Sequence, residues 1–230
     1  MNIMTSETTE NMETTSLRTQ SDVKTKISKK VYIKIKRVID VILASIALIL
    51  LSPLFAIIAI AIKIDSKGPV FFEHKRIGKN GKIIKLYKFR SMVINAEELI
   101  KSFTPEQMKE YKANYKLTND PRITKVGKFL RKTSLDELPQ LINIINGDLS
   151  IIGPRPVIAD ELEKYGTNKD KFLSVTPGLT GYWAANGRSN TTYEQRMEME
   201  LYYIDNLSLK MDIKVFFKTI LSVVKKEGAM

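Results

Sequence analysis

The chain of 230 residues has no cysteine and a single histidine, so a disulfide framework and any thiolate metal site are excluded. The missing cysteine fits a reducing compartment. Residues 1–28 are rich in Thr, Ser, Glu and Asn and show no apolar period. They lack the n-region and adjoining apolar core of a signal peptide and read as a disordered tail. Acidic charge is also in deficit: 37 Lys and Arg face 25 Asp and Glu, a formal charge of +12. Such an excess selects an anionic partner, whether nucleic acid, phospholipid headgroups or a phosphorylated substrate.

What is present begins with Lys29-Lys30-Val31-Tyr32-Ile33-Lys34-Ile35-Lys36-Arg37, followed by an apolar run over residues 38–62 whose one charge is Asp40. At roughly 1.5 Å per residue the run matches a hydrocarbon core about 30 Å thick, so a single span is one reading. Two features favour another. Ser52-Pro53 lies mid-run, where proline removes a backbone hydrogen bond and kinks or breaks a helix. Both flanks are basic, with Lys63, Lys67, Lys75, Arg76, Lys79 and Lys82 following, and the positive-inside rule would place both ends in the cytoplasm. A helix-break-helix that dips into one leaflet and returns satisfies both. The division expected is therefore a tail (1–28), a membrane-inserted helix broken at Ser52-Pro53 (29–66) and a cytoplasmic catalytic domain (67–226).

In the soluble part, Asn80-Gly81 between apolar segments signals a β-hairpin. Its returning strand would project Lys88 and Arg90 from one face; a solvated strand face explains them equally well. Thr104-Pro105-Glu106-Gln107 supplies an N-cap, an N1 proline and a capping-box partner. In Ile152-Gly153-Pro154-Arg155-Pro156, prolines fix the backbone on both sides of one cation. The last helix, roughly residues 209–226, carries Ile213, Phe216, Phe217, Ile220, Leu221 and Val224 opposite Lys210, Lys214 and Lys218. That pattern suits a membrane interface, or a surface helix packed on the domain. The fold class expected is α+β, mainly helical and membrane-associated, with a small hairpin and amphipathic interfacial helices.

The stretch Thr133-Ser134-Leu135-Asp136-Glu137-Leu138-Pro139-Gln140 sets two adjacent carboxylates at the mouth of a helix. Ser134-x-x-Glu137 matches a capping box, and acids suit a first helical turn, so capping alone accounts for them. Their neighbours open a second reading. Helix amides and Arg131 make an anion site, and Asp136 is placed to attack phosphorus as a carboxylate nucleophile. A divalent cation or an arginine cluster must then offset the repulsion between acid and phosphate, and Glu137 or Asp148 would hold that cation.

Taken together these segments resemble the bacterial sugar transferases, the monotopic polyprenyl-phosphate phosphoglycosyl transferases. The likeness rests on Lys36-Arg37-x-x-Asp40, Ser52-Pro53, Gly68-Pro69-Val70-Phe71-Phe72, Tyr87-Lys88-Phe89-Arg90-Ser91-Met92, Arg131 through Gln140, Gly147-Asp148-Leu149-Ser150 and Gly153-Pro154-Arg155-Pro156. It implies transfer of a sugar-1-phosphate from a UDP-sugar to undecaprenyl phosphate, releasing UMP, at the cytoplasmic face of the bacterial inner membrane. This is the step that starts lipid-linked exopolysaccharide, capsule or O-antigen assembly. The resemblance makes Asp136 the nucleophile, Glu137 its partner at the Mg²⁺ site, and Arg131 and Arg155 phosphate ligands. Lys88, Arg90, Arg122 and Arg188 complete the substrate-binding candidates. Two positions depart from the family pattern: Ala184 stands for a Gln in the Trp183 to Arg188 loop, and His74 for a Gln after Phe71-Phe72. The sugar stays open between galactose, glucose and N-acetylated forms. The partners expected are the UDP-sugar, the polyprenyl phosphate and membrane lipid, with self-association left open and no nucleic acid. The rival is a membrane-tethered basic scaffold without catalysis, which has little use for Asp136, Glu137 and Asp148 beside its basic patch.

Overall fold

A computed structural model describes the backbone of residues 4–114, 117–187 and 191–224. Helix α1 (Met4–Asp65) leads into a hairpin of β1 (Phe71–Ile77) and β2 (Ile83–Phe89). There follow α2 (Ala96–Leu99), α3 (Pro105–Asn114), α4 (Lys125–Thr133), α5 (Gln140–Asn146), β3 (Ser150–Ile152), α6 (Ala159–Glu163) and α7 (Lys169–Leu173). The chain continues through β4 (Gly178–Thr180), α8 (Tyr182–Asn186), α9 (Tyr193–Asp205) and α10 (Leu209–Val224). It is a mainly helical α+β fold with one long apolar N-terminal helix. The hairpin is antiparallel, with Phe72 opposite Lys88 and His74 opposite Leu86; Asn80 (φ 55°) and Gly81 (φ 77°) make its left-handed turn as the Asn-Gly pair foretold. A second, parallel pair, β3 beside β4, has no counterpart in the sequence reading because its strands are three residues each.

Residues 4–28, expected as a disordered tail, continue α1 as helix. Nothing in them stops a helix, since the first proline is Pro53 and the first glycine Gly68. The expected break at Ser52-Pro53 is not found either: α1 runs through it. Proline deprives the Ile49 carbonyl of its usual i+4 donor, and the Ser52 hydroxyl donates to that carbonyl instead at 2.8 Å. The local cost of the proline is thereby reduced and the helix carries on.

From Lys29 to Asp65, α1 is long and apolar enough to cross a membrane, yet the domain holds it from end to end. Tyr32 and Lys36 donate to Asp212 of α10 at 2.8 and 2.7 Å, and Arg37 reaches the Ile144 and Ile145 carbonyls at the C-terminal end of α5. Midway, Ala44, Ala47, Leu48 and Leu51 pack with Ile84, Leu86, Leu141 and Ile144. Further on, Leu54, Phe55, Ile58 and Ile62 pack with Phe89 and Leu130, and at the far end Asp65 accepts the Val126 N–H at 2.9 Å. The opposite side, including Ile42, Ile46, Ile49, Leu50, Ile57 and Ile60, stays exposed. The boundary expected at residue 66 is thus one of surface chemistry and not of packing. Helix α10 repeats the arrangement: Asp212, Val215 and Ser222 face inward, while Ile213, Phe216, Phe217, Ile220 and Leu221 face out. Its apolar stripe does not pack on the domain.

Candidate active site

Helix α4 starts at a Thr124 cap and approaches so closely that a Cβ on Gly127 would collide with the Ser91 carbonyl. That approach sets Arg131, one turn on, with its Nε donating to Ser91 Oγ at 2.8 Å. The helix ends at Ser134, which is left-handed (φ 56°) and makes no side-chain cap. The capping box read from Ser134 and Glu137 is therefore not formed, and the acids are left without that structural reason. Asp136 and Glu137 lie in a 3₁₀ turn, Leu135–Glu137, whose flanking Leu135 and Leu138 are fixed against Leu130, Phe89 and Ile58.

The turn faces β2. Lys88 Nζ donates to Glu137 Oε1 at 2.7 Å. The registration of strand and helix comes from Asn143, fully buried in α5, which donates to the Lys85 carbonyl at 2.7 Å and accepts the Tyr87 N–H at 2.9 Å. Its only signal in sequence was an amide beside Leu141 and Ile144 on the inner face of α5, which it shares with Gln140. On β1, His74 and Arg76 join the group. Arg155 is exposed between buried Pro154 and Pro156. Arg76 is itself steadied by Glu161 at 3.3 Å.

The two carboxyls are driven apart. Burial, reinforced by the adjacent Glu137, raises Asp136 above the ordinary carboxylate range despite the pull of Lys88 and Arg131. Burial pushes Glu137 up as well, but Lys88, Arg155 and Arg76 outweigh it and hold that carboxyl low. His74 falls to about 4, chiefly by burial and then by Arg76, Lys88 and Arg155, so it is a neutral imidazole on a cationic wall.

The structure therefore gathers Asp136, Glu137, Lys88, Arg131 and Arg155, and adds His74 and Arg76. Three candidates go elsewhere. Arg90 is buried, and its guanidinium serves the Ser66 and Lys67 carbonyls just past the end of α1. Arg122 is buried in a bidentate pair with Asp120 (2.8 and 2.6 Å) and lies over the rings of Phe103 and Tyr111. Asp148 turns to Lys82 (3.3 Å) and Asn143, sharing no partner with Glu137. Arg188 lies outside the described residues.

Among the described residues no group of three His, Asp or Glu side chains could hold a metal ion by itself. Mg²⁺ needs less: one or two carboxylates plus substrate phosphates suffice. Glu137 with Asp136 fits that role, and Asp148 does not.

Comparison with known proteins settles the family. The family model of the bacterial sugar transferases matches residues 31–226. The chain belongs to the bacterial sugar transferase family. The chain is 46% identical over 197 residues to the exopolysaccharide production protein ExoY of Rhizobium meliloti, covering 84% of this chain and 87% of that one. It is 43% identical over 198 residues to the undecaprenyl-phosphate galactose phosphotransferase of Salmonella typhimurium (85% and 41%). The UDP-glucose:undecaprenyl-phosphate glucose-1-phosphate transferase of Escherichia coli is 41% identical over 194 residues (81% and 39%). The chain thus spans about two-fifths of the length of the latter two relatives.

Proposed function

We propose that the chain transfers a sugar-1-phosphate from a UDP-sugar to undecaprenyl phosphate through a phosphorylated Asp136. The observation that carries this is the opposite tuning of two adjacent carboxyls beside Lys88, Arg131 and Arg155. Environments that separate a pair of titrating groups assign them separate roles. The raised Asp136 is the more basic and so the better nucleophile; Glu137, kept ionised, is the electrostatic and metal-binding partner.

An Asp136 oxygen attacks the β-phosphorus of the donor, and the bond from that phosphorus to the bridging oxygen breaks. UMP departs with the bridging oxygen. An oxygen of the lipid phosphate then attacks the phosphoryl-aspartate, which restores the carboxylate and yields a lipid diphosphate sugar. Both halves use one phosphate site, walled by Arg155, Arg76 and Lys88, with Arg131 also acting on Asp136. Mg²⁺ held at the dyad with the donor diphosphate would neutralise the charge that these acids oppose to a phosphate. The names of the relatives suggest galactose or glucose as the sugar.

The lipid substrate requires a membrane, and α1 supports a monotopic attachment to the cytoplasmic leaflet. A helix that crossed the bilayer would carry one end away from the domain, whereas Tyr32, Lys36 and Asp65 all bond to it. The outward faces of α1 and α10 present the apolar surface that such an attachment needs.

The test is UMP release from a panel of UDP-sugars by the full chain in nanodiscs with Mg²⁺ and undecaprenyl phosphate, beside Asp136→Asn. Release with one sugar, lost in the variant, together with a hydroxylamine-sensitive sugar-phosphate adduct in rapid quench, is the expected result. Turnover without an adduct would favour direct transfer with Asp136 as base, and no release with any sugar would revive the scaffold reading.

A further inference from the structure

Behind the cationic wall lies a second set of charges that takes no part in the reaction just described. Helix α9 buries Arg196 and Glu200, one turn apart, at 7% and 1% exposure. Arg196 Nη1 donates to Glu161 Oε1 at 3.2 Å, and its guanidinium lies over the rings of Trp183 (4.8 Å) and Tyr193 (5.1 Å). The other oxygen of Glu161 receives Arg76 at 3.3 Å and the Ile158 N–H at 3.1 Å. Glu200 Oε1 accepts the backbone N–H of Arg155 at 3.1 Å. Glu200 Oε2 and two nitrogens of Arg196 are buried without a hydrogen-bond partner.

As a stabilising device this is poor. The unsatisfied buried atoms of Arg196 and Glu200 cost stability that a packed apolar pair would not. What the set does achieve is at its two ends, which are Arg76 and Arg155. Pro154 and Pro156 have no N–H, so among residues 154–156 the Arg155 N–H is the one backbone donor, and it is committed to Glu200. On the other branch Glu161 takes one nitrogen of Arg76 and leaves the rest of that guanidinium to the site.

We propose that these side chains form a two-branched relay, Glu200 to Arg155 and Arg196 through Glu161 to Arg76, that positions both arginines for the diphosphate of the donor. They are positioning residues, which act only through those two arginines. The inference rests on the reading of the site as a sugar-nucleotide site, but its core, a preorganised anion site, is tested separately.

The probe is inorganic pyrophosphate, titrated calorimetrically into the full chain in nanodiscs, with donor and acceptor KM measured in parallel. Glu200→Ala is expected to weaken pyrophosphate binding about tenfold, the equivalent of one net hydrogen bond. Donor KM should rise by a similar factor, and the KM for undecaprenyl phosphate, whose phosphate uses the same site, should rise with it. Glu200→Gln, whose amide oxygen still accepts from Arg155, should restore most of the loss. In an Arg155→Ala background the Glu200→Ala change should add nothing further, whereas a merely structural role would give additive losses and overturn the relay. Glu161→Ala paired with Arg76→Ala repeats the test should Glu200→Ala fail to fold. Unchanged pyrophosphate affinity in folded Glu200→Ala, or no Arg155-dependent binding in the wild type, would also overturn it. Arg155-dependent binding without UMP release from any UDP-sugar would sink the proposed function and leave the relay standing.

Discussion

Asp40 is a carboxylate set in an otherwise apolar stretch of α1, and replacing it tests how that helix is held. Its side chain is 4% exposed; Oδ2 accepts from Ser150 Oγ at 2.7 Å and Oδ1 from the Ile151 N–H at 3.1 Å. In Asp40→Ala a buried hydroxyl and a buried amide lose their acceptor together. At about 1–3 kcal/mol for each orphaned group, the loss is about 4 kcal/mol taken at mid-range. For a chain of this size that lowers the melting temperature by about 8–16 °C. Asp40→Asn keeps an acceptor for Ile151 and gives Ser150 a donor, so it forfeits only the charge assistance, about 1 kcal/mol and about 2–4 °C. Calorimetric melts of wild type and both variants in nanodiscs measure the gap. Because β3 leads straight into Gly153-Pro154-Arg155, Asp40→Ala should also raise the donor KM. If both variants melt with the wild type, Asp40 does not dock α1 on β3, and the account of a helix held along its length is refuted.

Four further outcomes are expected. Lys88→Met removes the nearest cation of both carboxyls, so Glu137 and Asp136 titrate higher and the acid limb of the pH–rate profile moves up in pH; an unmoved limb would deny the pairing. Arg90→Lys should lower the melting temperature and leave donor KM as it is, because Arg90 ties the end of α1 and does not meet substrate; a raised KM with an unchanged melt would restore it to the site. His74 has its pKa lowered from 6.5 to about 4 in the fold. The unfolded chain therefore takes the proton first, and stability falls as pH drops from 6.5 toward 4; His74→Gln should flatten that decline in melts at stepped pH. The chain has no cysteine, so Lys34→Cys and Lys67→Cys each report one end of the helix. An impermeant maleimide should label both from the cytoplasmic side of oriented vesicles, and labelling from opposite sides would establish a span.

The parts legible in sequence were those whose partners lie nearby or whose residue type has one use. Asn80-Gly81 makes its turn, and Thr104 and Gln107 exchange their hydrogen bonds at 3.0 and 3.2 Å, with no help from distant residues. Arg155 stands exposed between two buried prolines. Arginines were harder, since an exposed and a buried guanidinium share one letter. Arg90 and Arg122 could be sorted only by seeing that helix-end carbonyls and an Asp120 carboxylate already occupy them. The Ser134 capping box failed because a helix end just before it threw Ser134 into the left-handed region. His74, Arg76 and Asn143 reach the site through strand register and a cross-contact to α5, neither of which local pattern carries.

The mixed packing of α1 bears on how this protein is made and handled. Ile84, Leu86, Leu141 and Ile144 on one stretch, and Phe89 and Leu130 on the next, are covered by residues of the apolar helix. Trimming residues 29–66 to obtain a water-soluble enzyme would uncover them all and leave Ser150 and Val126 without their acceptors. Biogenesis meets the same constraint. The helix precedes the rest of the fold in the chain, and the surfaces that complete its inner side are translated tens of residues later. On the proposed membrane attachment, insertion of α1 and folding of the rest of the chain must therefore finish together, and a chain stalled between them would present two greasy faces and no finished site.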